Sequence, residues 1–143
     1  MTDKRGTHDY VEDIRNSEIL VYINGKFYPR QDASISVFDS GFLLGDGVWE
    51  GIRYHNGKFL FLEQHLERLF WGAAQIDMDI GKTMEEVVSI LDETVNFNKM
   101  KTGVHVRLIV SRGVKSTPYQ DPSFTISEPT ICLLYTSPSP RDS

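Results

Sequence analysis

The chain has 143 residues, 40% of them hydrophobic, and a formal net charge of −5. This composition fits one soluble domain with its own core and lies outside the range of disordered chains. No apolar run reaches the roughly 18 residues of a membrane span, the acidic balance argues against nucleic acid as the main partner, and a lone cysteine, Cys132, rules out a disulfide framework.

Residues 1–17 are polar and charged, without the apolar segment of a secretory signal, so no such signal is expected. A disordered or loosely docked leader is expected, with a cytoplasmic or alternatively organellar location. "VYINGKFYPR" and "IRYHNGKFLF" each set Asn-Gly between alternating apolar segments. Asn24-Gly25 and Asn56-Gly57 therefore predict two-residue type I′ hairpins. Short strands are expected around Ser34 to Phe38 and Val48 to Tyr54.

The stretch "GFLLGDGVWEGIR" places four glycines around a tryptophan and two acids. Glycine weakens a strand interior, and one reason to use it is close approach of a non-protein group. Trp49, Gly51 and Arg53 share one strand face. A large ring beside a position without a side chain makes a notched wall for a planar or apolar ligand. Alternatively, Trp49 is ordinary core and Gly51 a bulge. Glu50 faces the other way, where a structural pairing with a backbone amide or an arginine is expected.

Leu62, Leu66, Leu69, Phe70 and Ala73 form one stripe of a helix ending near Asp77. Arg68 falls off that stripe, beside His65, Gly72 and Gln75, and by pattern alone reads as a solvated arginine. Gly72 leaves room for something to approach that flank. Thr83 and Glu86 make a capping box for a second helix with Met84, Val88, Leu91 and Val95 on its buried stripe. In "VHVRLIVSR", Val104, Val106, Leu108 and Val110 take one strand face, and His105, Arg107, Ile109 and Ser111 the other. Arg107 alone reads as an exposed strand cation. A loop with Lys115 follows; Lys58 and Lys115 both read as exposed. "TISEPTI" begins another strand, expected to run from near Thr130 to about Tyr135 and to become irregular at Ser137-Pro138. Strands, then two helices, then strands predict an α+β fold: an antiparallel sheet with two helices on one face.

The span "VYINGKFYPRQDASISVFDSGFLLGDGVWEGIRYHNGKFLFLEQHLERL", continued by "GVHVRLIVSRG", resembles the N-terminal part of the class IV (fold-type IV) pyridoxal-phosphate aminotransferases. These include branched-chain and D-amino-acid aminotransferases and aminodeoxychorismate lyase. The resemblance implies that residues 18–131 are the small N-terminal domain of such an enzyme. Residues 132–143, "CLLYTSPSPRDS", are similar to a conceptual translation of a transposase-type sequencing adapter and are expected to be foreign to the natural protein.

By this resemblance Arg68 grips the cofactor phosphate, Trp49 and Gly51 line the substrate pocket, and Arg107, with His105 beside it, meets acidic substrate groups. A tyrosine is usual where His105 stands. The Arg-x-His carboxylate trap of D-specific enzymes is replaced by Thr117-Pro118-Tyr119, which tilts the reading toward L-amino acids. No metal site is expected. The resemblance also implies a catalytic lysine beyond Ile131, so that none of the seven lysines here is catalytic and the chain alone is inactive. The expected parent enzyme is a homodimer using pyridoxal 5′-phosphate to move an amino group between an L-amino acid, branched-chain for preference, and a 2-oxo acid. A D-specific transaminase, the related lyase and a non-catalytic module are the alternatives.

Overall fold

The structure, a computed structural model, describes residues 14–99 and 101–137. It contains β1 (Leu20–Ile23), β2 (Lys26–Pro29), α1 (Ser40–Leu44), β3 (Gly47–His55), β4 (Lys58–Phe59), α2 (Leu62–Gln75), α3 (Met84–Asn98), β5 (Val104–Ser111) and β6 (Thr130–Thr136). The six strands form one sheet in the order β2-β1-β6-β5-β3-β4. Every pairing of named strands is antiparallel. Helices α2 and α3 cover one face, α2 against β3 and α3 against β1 and β6. The α+β architecture expected from the pattern is the one observed.

Both Asn-Gly pairs turn with positive φ at both positions: 48° and 92° at Asn24 and Gly25, 51° and 77° at Asn56 and Gly57. That is the type I′ geometry whose twist matches the flanking strands. Helix α3 opens on a complete capping box, with Thr83 Oγ1 accepting from Glu86 N and Glu86 Oε1 accepting from Thr83 N. Its last residue, Asn98, brackets Leu20, accepting from the backbone N–H at 2.7 Å and donating to the carbonyl at 3.0 Å. The core lies between helices and sheet. Leu66, Leu69 and Leu91 meet Ile52, Val104, Val106, Leu108, Leu133 and Tyr135, all at most 1% exposed. Each such aliphatic side chain contributes on the order of 1.5–3 kcal/mol of burial.

Three expectations are corrected. Residues 34–38 form no strand. Ile35 and Val37 alternate as a strand would, but among the described residues no strand pairs with them and both stay exposed. The chain instead enters α1, where Asp39 caps the helix by accepting from Gly41 N at 2.8 Å and Gly45, at φ 66°, ends it.

The expected leader, 1–17, lies mostly outside the described residues, and its last part is docked. Ile14–Glu18 forms a 3₁₀ turn, and Asn16 clamps the Ser137 backbone, donating to its carbonyl at 2.9 Å and accepting from its N–H at 2.7 Å.

Lys115 is not exposed. It is 1% accessible, and its ammonium donates to the Asp121 carbonyl at 3.1 Å.

Gly72 admits protein, not a ligand. A Cβ there would lie 3.3 Å from Val48 Cγ1, so the missing side chain lets α2 close onto β3.

The strand near Thr130 extends to Thr136, and Ser137 lies outside it; Pro138, where irregular chain was also expected, lies outside the described residues. The strand's place in the sheet was not foreseen. β6 lies between β1 and β5, with Leu133 and Tyr135 fully buried.

Candidate functional site

The face of the sheet away from α2 and α3 carries the residues that alternate with the core. Cross-strand register sets them in rows: Gly47–Ser111–Thr130, Trp49–Ile109–Cys132, Gly51–Arg107–Leu134 and Arg53–His105–Thr136. Trp49, Gly51, Arg107 and His105 are thus brought together, and Trp49, 57% exposed, is not core. The Arg107 guanidinium carbon sits 4.2 Å from the centre of the Trp49 ring. At Gly51 an added Cβ would meet only Trp49 Cζ3, at 3.8 Å, so the notch beside the ring is open.

A largely apolar groove of about 410 Å³ continues from this wall toward α1. Ile35, Phe42, Trp49, Ile109 and Cys132 supply its sides. At its base Asp39, 2% exposed, accepts from Thr130 Oγ1 at 2.6 Å while capping α1. The sequence reading missed this groove because it missed α1. The available signal was Asp39 and Gly45 bracketing "SGFLL", an N-cap and a C-terminal glycine around one helical turn.

Asp46 and Arg112 anchor the turn that feeds β3. Arg112 Nε donates to Asp46 Oδ2 at 2.7 Å, and its Nη atoms donate to the Ile76 and Asp77 carbonyls just past the end of α2. Burial works against ionisation of Asp46, but hydrogen bonds from Arg112 and Ser40 overcome it and hold the carboxyl below its ordinary range.

On the other side of β3, Glu50 faces α2 and is 4% exposed. Arg68 Nε donates to Glu50 Oε2 at 2.8 Å, Arg68 Nη2 donates to Oε1 at 2.7 Å, and His65 Nδ1 lies 2.7 Å from the same Oε1. The Arg68 hydrogen bonds, with a smaller contribution from His65, keep the Glu50 carboxyl below its ordinary range against the opposing effect of burial. The expected structural pairing of Glu50 is with this arginine. Arg68 remains 68% exposed and borders a recess with Phe61, Gln64 and His65. An exposed guanidinium with only one edge occupied suits a phosphate group.

Arg68 and the Trp49 cluster lie on opposite sides of β3. Strand β4 pairs with Tyr54 and His55, so among the described residues Gly47–Arg53 is a margin of the sheet without a neighbouring strand on that side. Both groups border this margin. Among the described residues no lysine lines the groove or the Arg68 recess.

A family model for amino-transferase class IV matches residues 47–142. A putative branched-chain-amino-acid aminotransferase of Methanocaldococcus jannaschii is 44% identical over 94 residues, covering 66% of this chain and 32% of that protein. A D-alanine aminotransferase of Listeria monocytogenes is 40% identical over 96 residues, covering 67% of this chain and 33% of that protein. The chain thus spans about a third of the length of these relatives. Among solved structures, the branched-chain aminotransferase of Thermoproteus uzoniensis with norvaline superposes with a TM-score of 0.68 at 27% identity, covering 82% of this chain and 40% of that one.

Proposed function

Since the chain belongs to the class IV aminotransferases, we propose that it builds the small-domain side of a pyridoxal 5′-phosphate site at which an amino group passes between an amino acid and a 2-oxo acid, with L-branched-chain amino acids as donors. The observation that carries this reading is the open sheet face: Trp49 stands over Arg107 beside an empty position at Gly51 and continues into an apolar groove. An aliphatic side chain fits such a notch, and a methylene more or less in it is worth about 1–3 kcal/mol of discrimination.

In this reading Arg68 holds the cofactor phosphate through the guanidinium edge that Glu50 leaves unused. Trp49 and Gly51 bound the substrate side chain and keep water from it. Arg107 and His105 receive the second carboxylate of an acidic partner substrate. When bound, pyridoxal phosphate supplies the electron sink for charge developing at the substrate α carbon. By the family resemblance, the lysine that moves the proton is read as lying in a second domain; the lysines described here line neither pocket. The complete enzyme is read as a homodimer.

The test is to express the open reading frame that contains this chain and compare amino transfer to 2-oxoglutarate from L-leucine, L-valine and D-alanine. Preference for the L-branched donors supports the reading. Preference for D-alanine moves it to the D-specific branch, and no amino transfer from any donor with cofactor present overturns it.

A further inference from the structure

We propose that Glu50 is a positioning residue: its buried carboxylate occupies the side edge of the Arg68 guanidinium and so aims the neighbouring end edge at the cofactor phosphate. This rests on the phosphate role proposed above for Arg68. Glu50 takes the side edge, formed by Nε and Nη2. A guanidinium has five N–H groups, so both on Nη1 and the second on Nη2 stay available. One from each makes the end edge, the second fork able to hold two oxygens of a phosphate at once.

The aim is fixed because its support is fixed. Glu50 is 4% exposed within β3, and Oε1, the oxygen that accepts from Arg68 Nη2, also lies 2.7 Å from His65 Nδ1. A free arginine side chain loses rotamer freedom when it grips a ligand. Here that loss falls on folding instead.

Charge pulls the other way. A carboxylate this close repels phosphate, so a purely electrostatic role predicts that altering Glu50 leaves phosphate binding unchanged or tightens it. Glu50→Asp separates the two, since it keeps the charge and shortens the reach.

The test titrates the ¹⁵N-labelled 143-residue chain with pyridoxine 5′-phosphate, pyridoxine and inorganic phosphate while following the Arg68 side-chain resonances. The aldehyde-free probe avoids reaction with surface lysines. In the wild-type chain the Nη signals should move with both phosphates and not with pyridoxine, while the Nε–H signal keeps its hydrogen-bonded position. Glu50→Asp, its fold checked by the backbone spectrum, should bind both phosphates about five- to tenfold more weakly. Equal or tighter phosphate binding by Glu50→Asp, or a wild-type Nε–H that leaves Glu50 during titration, overturns the positioning role. If Glu50→Asp does not fold, the wild-type Nε–H signal decides. No Arg68 response to either phosphate overturns the phosphate role of Arg68 together with this inference.

Discussion

The guanidinium carbon of Arg107 lies 4.2 Å from the centre of the Trp49 ring, on the sheet face that α2 and α3 leave open. A cation over an aromatic face at an exposed site is worth about 0.5–1 kcal/mol. Trp49→Ala should therefore lower stability only slightly, by about 1 kcal/mol or less in a urea melt. In the active enzyme the same change should raise KM for L-leucine well beyond that for L-alanine, because it removes the wall of the notch. Equal effects on the two substrates would place Trp49 outside the pocket.

Two glycines of β3 should respond in opposite ways to the same substitution. At Gly47 an added Cβ would sit 2.6 Å from the Val110 carbonyl oxygen, which is backbone and cannot move aside cheaply. Gly47→Ala should destabilise the fold by about 1–3 kcal/mol. At Gly51 the nearest atom is the Trp49 ring at 3.8 Å. Gly51→Ala should leave stability unchanged or raise it by about 0.5 kcal/mol through the unfolded state, while filling the notch and weakening use of branched donors. Denaturation midpoints for both variants check the first half, and KM values for L-valine the second.

Acid should expose the Glu50–Arg68 pair. The folded pKa of Glu50 lies below its ordinary value because Arg68 holds the ionised form. The stabilisation is therefore present above the unfolded pKa, about 4.3, and is lost as pH falls through the folded value. Glu50→Gln should be less stable than wild type at pH 7, and the gap should close below pH of about 4. A gap that stays constant to pH 3 would mean the pair contributes nothing through its charge.

Cys132 should be an inert thiol. Burial, helped by the Asp39 carboxylate, pushes its pKa to about 11. Against its ordinary value of 9.0, the thiolate fraction at neutral pH falls by about 100-fold. Disulfide-exchange labelling of the folded chain should be slower by a comparable factor and recover in denaturant. Labelling at the rate of a free thiol would show the site to be open.

A stop codon after Ile131 should abolish cooperative unfolding. It would remove residues 132–136 of β6, which pair with β1 on one side and β5 on the other, along with the buried Leu133 and Tyr135. Far-ultraviolet circular dichroism through a thermal melt checks this. A sharp transition in residues 1–131 would show that the sheet closes without its central strand.

The hairpins, the two long helices and the capping box were legible because each is written in a few adjacent residues. Asn-Gly demands positive φ at two positions, and Thr83 reaches Glu86 within a single turn. The 34–38 segment was misread because alternation alone does not say whether a partner strand exists. The Trp49–Arg107 grouping followed from strand periodicity together with the family resemblance. The Glu50–Arg68 bond did not, although the strand pattern turned Glu50 away from Trp49 and the helical wheel set Arg68 beside His65. Nothing local says that one helix will stand over one strand at that register. Lys115 escaped for the same reason: its burial depends on the loop carrying Asp121 folding back over it.

The central place of β6 also shapes how the chain must fold. Tyr22 of β1 aligns with Leu133 of β6, a contact between opposite ends of the described chain. Helices α2 and α3, and the β3–β5 pairing, involve far shorter loops and can assemble first. The β1–β2 hairpin has no sheet to join until the final strand arrives. Such long-range closure slows folding, because loop entropy is spent before the contact is made. During synthesis the half-built sheet therefore shows an unpaired β5 edge until residues 130–136 emerge, and that edge is where wrong strand pairing between nascent chains would start.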